Sequence, residues 1–385
     1  MTTGGGGLAR LAVRRLSLSD FRCYERLRLE ADPRPVVLTG PNGAGKTNLL
    51  EALSFLVPGR GMRRASLGDV ARHGSEPGAP WAVAAVLDGG TEIGTGRETG
   101  QERRSVRLDG QPAKPGDLGQ RISALWLTPA MDRLFTEGAG GRRRFLDRMV
   151  LGVAPGHAAQ ASAYEHAMRE RTRLLKAARD GSGRPDPSWL AALEDGMARH
   201  GVAVAVARLN TATRLDAACR QGIGPFPAAR LTVVGEVEGW LAEGADPAEA
   251  EDRLRGALRG ARPRDEAAGG ATLGPHRSDL VVRHAAKDLA VGQCSTGEQK
   301  AVLVAMVLAQ ARVQSVTTGR APLLLLDEVV AHLDHIRRAA LFDELCALTV
   351  QSWMTGTDEL LFDGFGPRAQ FFRVANACVH PGNRD

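Results

Sequence analysis

The sequence predicts an α/β fold interrupted by an inserted helical lobe, and three observations carry that prediction. A short β-branched run, Val36–Thr39, enters a glycine loop and then a stretch with apolar residues at helical spacing, Leu49, Leu50, Leu53 and Phe55. From Arg142 to about Ala218 strand signals vanish and Ala, Arg, Leu and Met recur with helical period. From Thr272 strand-and-turn texture returns, and Pro322–Glu328 and Gln351–Thr355 have the continuous apolar character of buried strands.

The individual elements follow in order. Met1–Gly7 is glycine-rich and expected to be mobile; Leu11–Leu29 alternates around a bend at Phe21–Tyr24 and predicts two strands. Strands are expected at Trp81–Leu87, at Ser105–Leu108 before the hairpin dipeptide Asp109-Gly110, and at Ala124–Leu127. One long helical stretch runs from Arg142 to about Arg179, and a second from Trp189 to Ala218. The Gly/Pro break at Gly181–Pro187 makes them a short antiparallel hairpin. A strand at Leu231–Val234 and a helix at Pro247–Leu258 complete the lobe. The expected division is residues 1–147 and 266–385 for the α/β part and 148–265 for the lobe.

The 385 residues are 43% hydrophobic and 24% charged, which excludes disorder as the main state. A net charge of +6 suits a nucleic-acid partner without requiring one. Only five of the fifty basic residues are lysine, so Lys46 and Lys300 carry more information than any single arginine. The longest uninterrupted apolar run, Ala301–Ala309, falls short of the ~20 residues of a membrane span. No signal-peptide core precedes Arg15, and five cysteines without a C-x-x-C pair argue against disulfides or zinc. These features predict a soluble cytoplasmic chain with no membrane partner.

The sharpest motif is Gly40-Pro41-Asn42-Gly43-Ala44-Gly45-Lys46-Thr47, a G-x-x-x-x-G-K-T loop between strand and helix. Its glycines let backbone N–H groups converge on phosphate oxygens, Lys46 reaches the β- and γ-phosphates, and the Thr47 hydroxyl ligates Mg²⁺. ATP with Mg²⁺ is the expected ligand. Leu323–Leu326 followed by Asp327-Glu328 has the form of a Walker B strand, with Asp327 on the metal side and Glu328 placed as general base. Thirty-two residues before Asp327 stands Ser295-Thr296-Gly297-Glu298-Gln299, matching the S-x-G-x-Q signature of ABC-type ATPases. In that class the Ser295 hydroxyl, the Gly297 amide and Gln299 face a nucleotide held by a second subunit. A helix cap is the competing reading, with Glu298 placed one position too close for a capping box. Leu333-Asp334 fits the D-loop; His332 and His335 beside it are expected to be ordinary surface residues.

Beyond these general motifs, Phe21-Arg22-Cys23-Tyr24, Gly40–Glu51, Gly59-Arg60, Thr128-Pro129, Gly141–Asp147 and Gly274-Pro275-His276-Arg277-Ser278-Asp279-Leu280 resemble the RecF family of bacterial recombination mediators. The resemblance implies an ABC-type P-loop ATPase head with an inserted helical lobe. It also implies a weak, DNA-stimulated ATPase that dimerises on DNA with ATP, acts in gap repair, replication and the SOS response, and works with RecO and RecR. It makes His276 a candidate functional residue. Cys23 replaces the family's Asn, Ser278 the first Asp of its G-P-H-R-D-D-L, and Cys294 the Leu that often precedes the signature. No histidine occupies the switch position near Gly356-Thr357.

Candidate DNA contacts are Arg60, Arg63, Arg64 and Arg142–Arg144. With aromatics at 4%, a base-stacking platform is disfavoured, and salt-sensitive contact with the backbone of duplex or gapped DNA is expected. A transport ATPase subunit shares the P-loop, signature and Walker B, but has no need of a helical hairpin. A small-molecule kinase leaves the signature and D-loop without a task.

Overall fold

The alternation of Leu11–Leu29 resolves into strands β1 (Val13–Phe21) and β2 (Tyr24–Glu30), paired antiparallel and closed at Phe21↔Tyr24. The computed structural model describes residues 11–179 and 186–382. Met1–Gly7 and most of the expected break at Gly181–Pro187 therefore lie outside the described residues. Strand β3 (Val36–Thr39) is buried at all four positions and passes through the glycine loop into helix α1 (Lys46–Ser54). Strands β4 (Trp81–Leu87), β5 (Glu92–Arg97), β6 (Ser105–Leu108), β7 (Gln111–Pro112) and β8 (Ala124–Leu127) follow. Sequence reasoning missed β5, because Gly94 and Gly96 dilute its strand propensity. At Asp109-Gly110 both residues have positive φ, 50° and 79°, as a type I′ hairpin requires.

The helical stretch expected from Arg142 to Arg179 is two helices, α2 (Ala139–Val153) and α3 (His157–Arg179). Pro155 causes the break: it disfavours helical backbone at Ala154, which adopts φ −137° and ψ 81°. Helix α4 (Pro187–Arg220) starts with proline in its first turn, and the Asp186 carboxylate accepts from the Ser188 N–H at 2.8 Å. Helices α3 and α4 run antiparallel, as the contacts His200–Gln160 and Arg171–Glu194 require. Next come β9 (Ala229–Val234), α5 (Glu236–Ala242), α6 (Pro247–Gly260), α7 (Arg262–Ala268), β10 (Asp279–His284) and β11 (Leu289–Ala290), the strands ordered β11-β10-β9.

The chain then enters α8 (Thr296–Thr318), β12 (Leu323–Leu326), α9 (His335–Ala347), β13 (Ser352–Gly356), β14 (Gln370–Ala375) and β15 (Cys378–Pro381). Helix α8 is long and apolar enough to span a bilayer, which the run Ala301–Ala309 alone did not suggest. Yet 72% of its apolar window is buried inside the protein, as in a core helix.

By contacts the chain divides into two compact units. One comprises Met1–Arg133, Gln221–Ala228 and Cys294–Asp385; the other comprises Leu134–Arg220 and Ala229–Gln293. The boundaries expected at 148 and 265 fall inside the second unit. The first holds an antiparallel sheet, β2-β1-β4-β5-β6-β7, and a mostly parallel one, β15-β14-β3-β13-β12-β8. Their shared core includes Leu49, Leu50, Leu325 and Trp353 and a trio of aromatic rings, Phe21, Phe55 and Trp81, with centroids 5.2 to 6.0 Å apart. In the second unit a fully buried Arg171 binds Glu194 at 3.0 Å, Asp265 at 2.7 Å and the Leu258 carbonyl at 2.7 Å, tying α3, α4, α6 and α7 together. Such a guanidinium is tolerated only because every face of it is paired.

Candidate nucleotide site

Strand β3 delivers the glycine loop at the carboxyl end of the parallel sheet, where ligands of open α/β folds bind. The loop needs its glycines for space as well as for backbone freedom. Gly40 lies at φ 143°, and a Cβ there would stand 2.1 Å from the Val374 carbonyl oxygen; at Gly45, φ 110°, it would stand 2.6 Å from the Tyr24 hydroxyl. Lys46 folds back across the loop, its Nζ donating to the carbonyls of Gly40 at 2.7 Å and Pro41 at 2.8 Å. Burial pulls the Lys46 ammonium below the usual lysine pKa, and the carboxylates of Glu328 and Asp327 offset part of that shift.

Strand β12 sets the acids opposite. Asp327 Oδ1 accepts from the Thr47 hydroxyl at 2.9 Å and from the Thr355 hydroxyl at 2.7 Å. Glu328 adopts φ 54°, in the left-handed region, and its N–H donates to Thr355 Oγ1 at 2.9 Å. A cleft of about 240 Å³ is lined by Asn42, Gly43, Gly45, Lys46, Thr47, Asn48, Arg63 and Glu328. A larger hollow of about 520 Å³ lies on the antiparallel sheet and contains none of the expected site residues. The hydroxyl of Thr47 and the carboxylate of Asp327 are hard oxygen donors side by side, a set that suits Mg²⁺ completed by phosphate and water oxygens.

Behind the loop, the Phe21–Tyr24 turn is bolted to α1. Arg22 pairs with Glu51 through Nη2–Oε1 at 2.6 Å and Nε–Oε2 at 2.9 Å, and the Tyr24 hydroxyl donates to the Gly45 carbonyl at 3.2 Å. Cys23 Sγ accepts from Asn48 Nδ2 at 3.2 Å. Arg63, expected among DNA contacts, lines the cleft beside the P-loop, donating to Asn48 Oδ1 at 3.1 Å and Glu51 Oε2 at 3.3 Å.

The signature residues stand elsewhere. Ser295 is the N-cap of α8 and Glu298, at its third helical position, closes a capping box, bonding the Ser295 N–H at 3.1 Å and Oγ at 3.0 Å. The spacing expectation that excluded this box is corrected: the two residues are three apart, as the motif demands. Ser295 and Gly297 are exposed, and neither lines the cleft. Gln299, expected to face nucleotide, is buried, its Nε2 donating to the Cys294 carbonyl at 2.8 Å; it braces the turn that presents Ser295. Asp334 of the D-loop caps α9, accepting from the Arg337 N–H at 2.8 Å.

The RecF/RecN/SMC N-terminal domain family matches residues 12–364. The chain is 50% identical over 379 residues to the DNA replication and repair protein RecF of Caulobacter vibrioides, covering 96% of this chain and 98% of that one. It is also 50% identical over 376 residues to the RecF of Rhizobium rhizogenes, covering 95% and 98%. The chain belongs to the RecF family. Among solved structures, the recombination mediator protein RecF-ATPrS in the RecFOR pathway superposes with a TM-score of 0.83 at 19% identity, covering 98% of this chain and all of that one. An Smc head domain from Pyrococcus furiosus superposes at 0.52 with 17% identity, covering 96% and 95%. These likenesses establish an ABC/SMC-type α/β head.

His276 uses both ring nitrogens, Nδ1 with the Tyr164 hydroxyl at 2.6 Å and Nε2 with the Ala271 carbonyl at 2.8 Å, and burial lowers its pKa. It is a brace within the lobe. Ser278, in place of the RecF-family Asp, is buried and donates to Glu238 Oε1 at 2.5 Å, so a carboxylate from α5 occupies its surroundings. Of the candidate DNA arginines here, Arg142 is held in a two-bond pair with Asp279 at 2.7 and 2.8 Å, and Arg143 donates to the Ser278 carbonyl at 2.7 Å. Thr355 belongs to a run, Thr355-Gly356-Thr357-Asp358, that resembles the RecF form, but the sequence assigned it no role; its bonds to Asp327 and to the Glu328 N–H come from the fold alone.

Proposed function

We propose that this chain is an ATP-dependent DNA-binding protein of recombinational gap repair and the SOS response. ATP binding closes two copies head to head on DNA; hydrolysis, weak and stimulated by DNA, releases them. The observation that carries this reading is the separation of two half-sites: Lys46, Thr47 and Glu328 line one cleft, with Asp327 bonded to Thr47 behind it, while Ser295 and Gly297 lie exposed outside it. One chain thus holds half of a site that a second copy can complete.

Within that reading the discontinuous first unit is the head and the second unit its lobe. The backbone N–H groups of Gly43–Thr47 and the N-terminus of α1 cradle phosphate oxygens, and Lys46 turns from its loop carbonyls towards the β- and γ-phosphates. Thr47 and Asp327 would hold Mg²⁺, which supplies charge neutralisation as the terminal phosphoryl departs. Glu328 accepts the proton of the attacking water. Across the interface, Ser295 Oγ and the Gly297 N–H receive the γ-phosphate of the other copy. DNA is gripped through its backbone, and RecO and RecR are the partners the family suggests.

Sedimentation with a slowly hydrolysed ATP analogue, with and without gapped duplex, tests the reading. The expected result is a monomer alone, a dimer with the analogue, and a steeper fall of DNA affinity with salt once it is present. A monomer throughout, with a salt slope indifferent to nucleotide, would sink it.

A further inference from the structure

Strand β13 lies between β3, which carries the P-loop, and β12, which carries the two acids. Near its carboxyl end Thr355, 1% exposed, places one hydroxyl between both acids. Oγ1 donates to the Asp327 carboxylate at 2.7 Å and accepts from the Glu328 N–H at 2.9 Å. The same Asp327 oxygen takes the Thr47 hydroxyl at 2.9 Å, and among the described residues no hydrogen bond reaches its other oxygen. Glu328 is held at φ 54°, a conformation that persists in a residue with a side chain only when its surroundings enforce it. The bond from its N–H to Thr355 is such an enforcing contact. No histidine follows on this strand to act on the cleft; the next residues are Gly356 and Thr357.

We propose that Thr355 is the positioning residue of the hydrolytic step. It orients Asp327, leaving one carboxylate oxygen for the shell of the cation, and it fixes the Glu328 backbone so that its carboxylate enters the cleft. The proposal rests on the reading of Asp327 as the metal-side acid and Glu328 as the base. A residue that merely filled space in the sheet would be replaced by valine without effect on either acid. Removing a hydrogen-bond partner behind a metal or catalytic carboxylate has a different signature, a loss of metal affinity or rate by about 10- to 100-fold.

The test uses the full chain with Thr355→Val, Thr355→Ser, Glu328→Gln and the Thr355→Val/Glu328→Gln double variant. A fluorescent, slowly hydrolysed ATP analogue is titrated in EDTA and then against Mg²⁺, and single-turnover hydrolysis of ATP is timed. Thr355→Val should bind the analogue in EDTA like the parent, need about tenfold more Mg²⁺ for its metal-dependent gain, and hydrolyse about 10- to 100-fold slower. Thr355→Ser should recover most of both. At saturating Mg²⁺, where the weakened hold of Asp327 on the cation is masked, the double variant should be no slower than Glu328→Gln, since a misplaced base and an absent one fail alike. Parental behaviour of Thr355→Val, a serine variant as impaired as the valine one, or additive losses in the double variant each overturn the proposal. If the valine chain melts early, Thr355→Ala and Thr355→Ser make the comparison, and equal rates and Mg²⁺ requirements overturn it. Undiminished turnover in Glu328→Gln would instead remove the base assignment, and the Mg²⁺ titration of Thr355→Val still decides the contact with Asp327.

Discussion

Arg22 and Glu51 form a buried ion pair with two parallel hydrogen bonds, at 2.6 and 2.9 Å, that joins the β1–β2 turn to the P-loop helix. Arg22 sits at φ 56° and also donates to the Asp69 carbonyl, so the turn is pinned from both sides. Glu51→Ala would leave that guanidinium buried without its carboxylate, a loss of about 3–5 kcal/mol. Chemical denaturation checks this; a loss near zero would mean that water takes the place of the carboxylate beside Arg22.

Lys46→Ala should abolish ATP binding while the protein melts no earlier than the parent. The lysine is a partly desolvated cation held by two carbonyls, so its removal relieves as much as it takes away. Equilibrium binding of a labelled ATP analogue beside a thermal melt gives the answer, and parental affinity would remove the loop from the site.

Glu328→Gln should bind ATP with Mg²⁺ normally and slow hydrolysis by about 10²–10⁴-fold, because an amide cannot accept the water's proton. A longer-lived ATP-bound dimer is the accompanying expectation, followed by single-turnover rates and by sedimentation.

Ser295 has two tasks that substitution can separate. As the N-cap of α8, Ser295→Ala should cost about 1 kcal/mol and leave an ATP-induced dimer. Ser295→Arg places a bulky side chain where the partner's phosphate docks, so it should bind ATP as a monomer and fail to dimerise. Light scattering with and without ATP distinguishes them; a dimer of the arginine variant would contradict the signature assignment.

Acid should loosen the lobe at Asp147, which two neighbours hold ionised. Burial opposes ionisation of Asp147, but hydrogen bonds from His157 at 2.8 Å and Arg208 at 2.8 Å outweigh it and hold the pKa down at about 2. A folded pKa below the unfolded value stabilises the protein above about pH 4 and loses that contribution as pH falls towards 2, for about 2 kcal/mol in all. Asp147→Asn should be less stable at neutral pH and show a flatter acid limb in denaturation curves.

Much of the fold was legible because its signals are local. The strand–loop–helix of the P-loop, the apolar strand before Asp327-Glu328 and the Asp109-Gly110 hairpin each depend on a few adjacent residues whose backbone preferences agree. Errors arose where local pattern was weak or tertiary partners ruled. Gly94 and Gly96 hid β5, and Pro155 split a helix whose periodicity runs on across it.

From its residues alone, the chain already specified an α/β head with a helical insert, the P-loop lysine and threonine, the paired acids and the resemblance to the RecF family. Nothing in the linear order could say that Thr47 would meet Asp327 across 280 residues, that Thr355 would stand between the acids, or that Arg63 would line the cleft beside the P-loop. The first two relations depend on the strand order β3-β13-β12, which crossover connections assemble from three distant segments. Periodicity records which face of a strand is buried; only the packed sheet determines which neighbour that face meets.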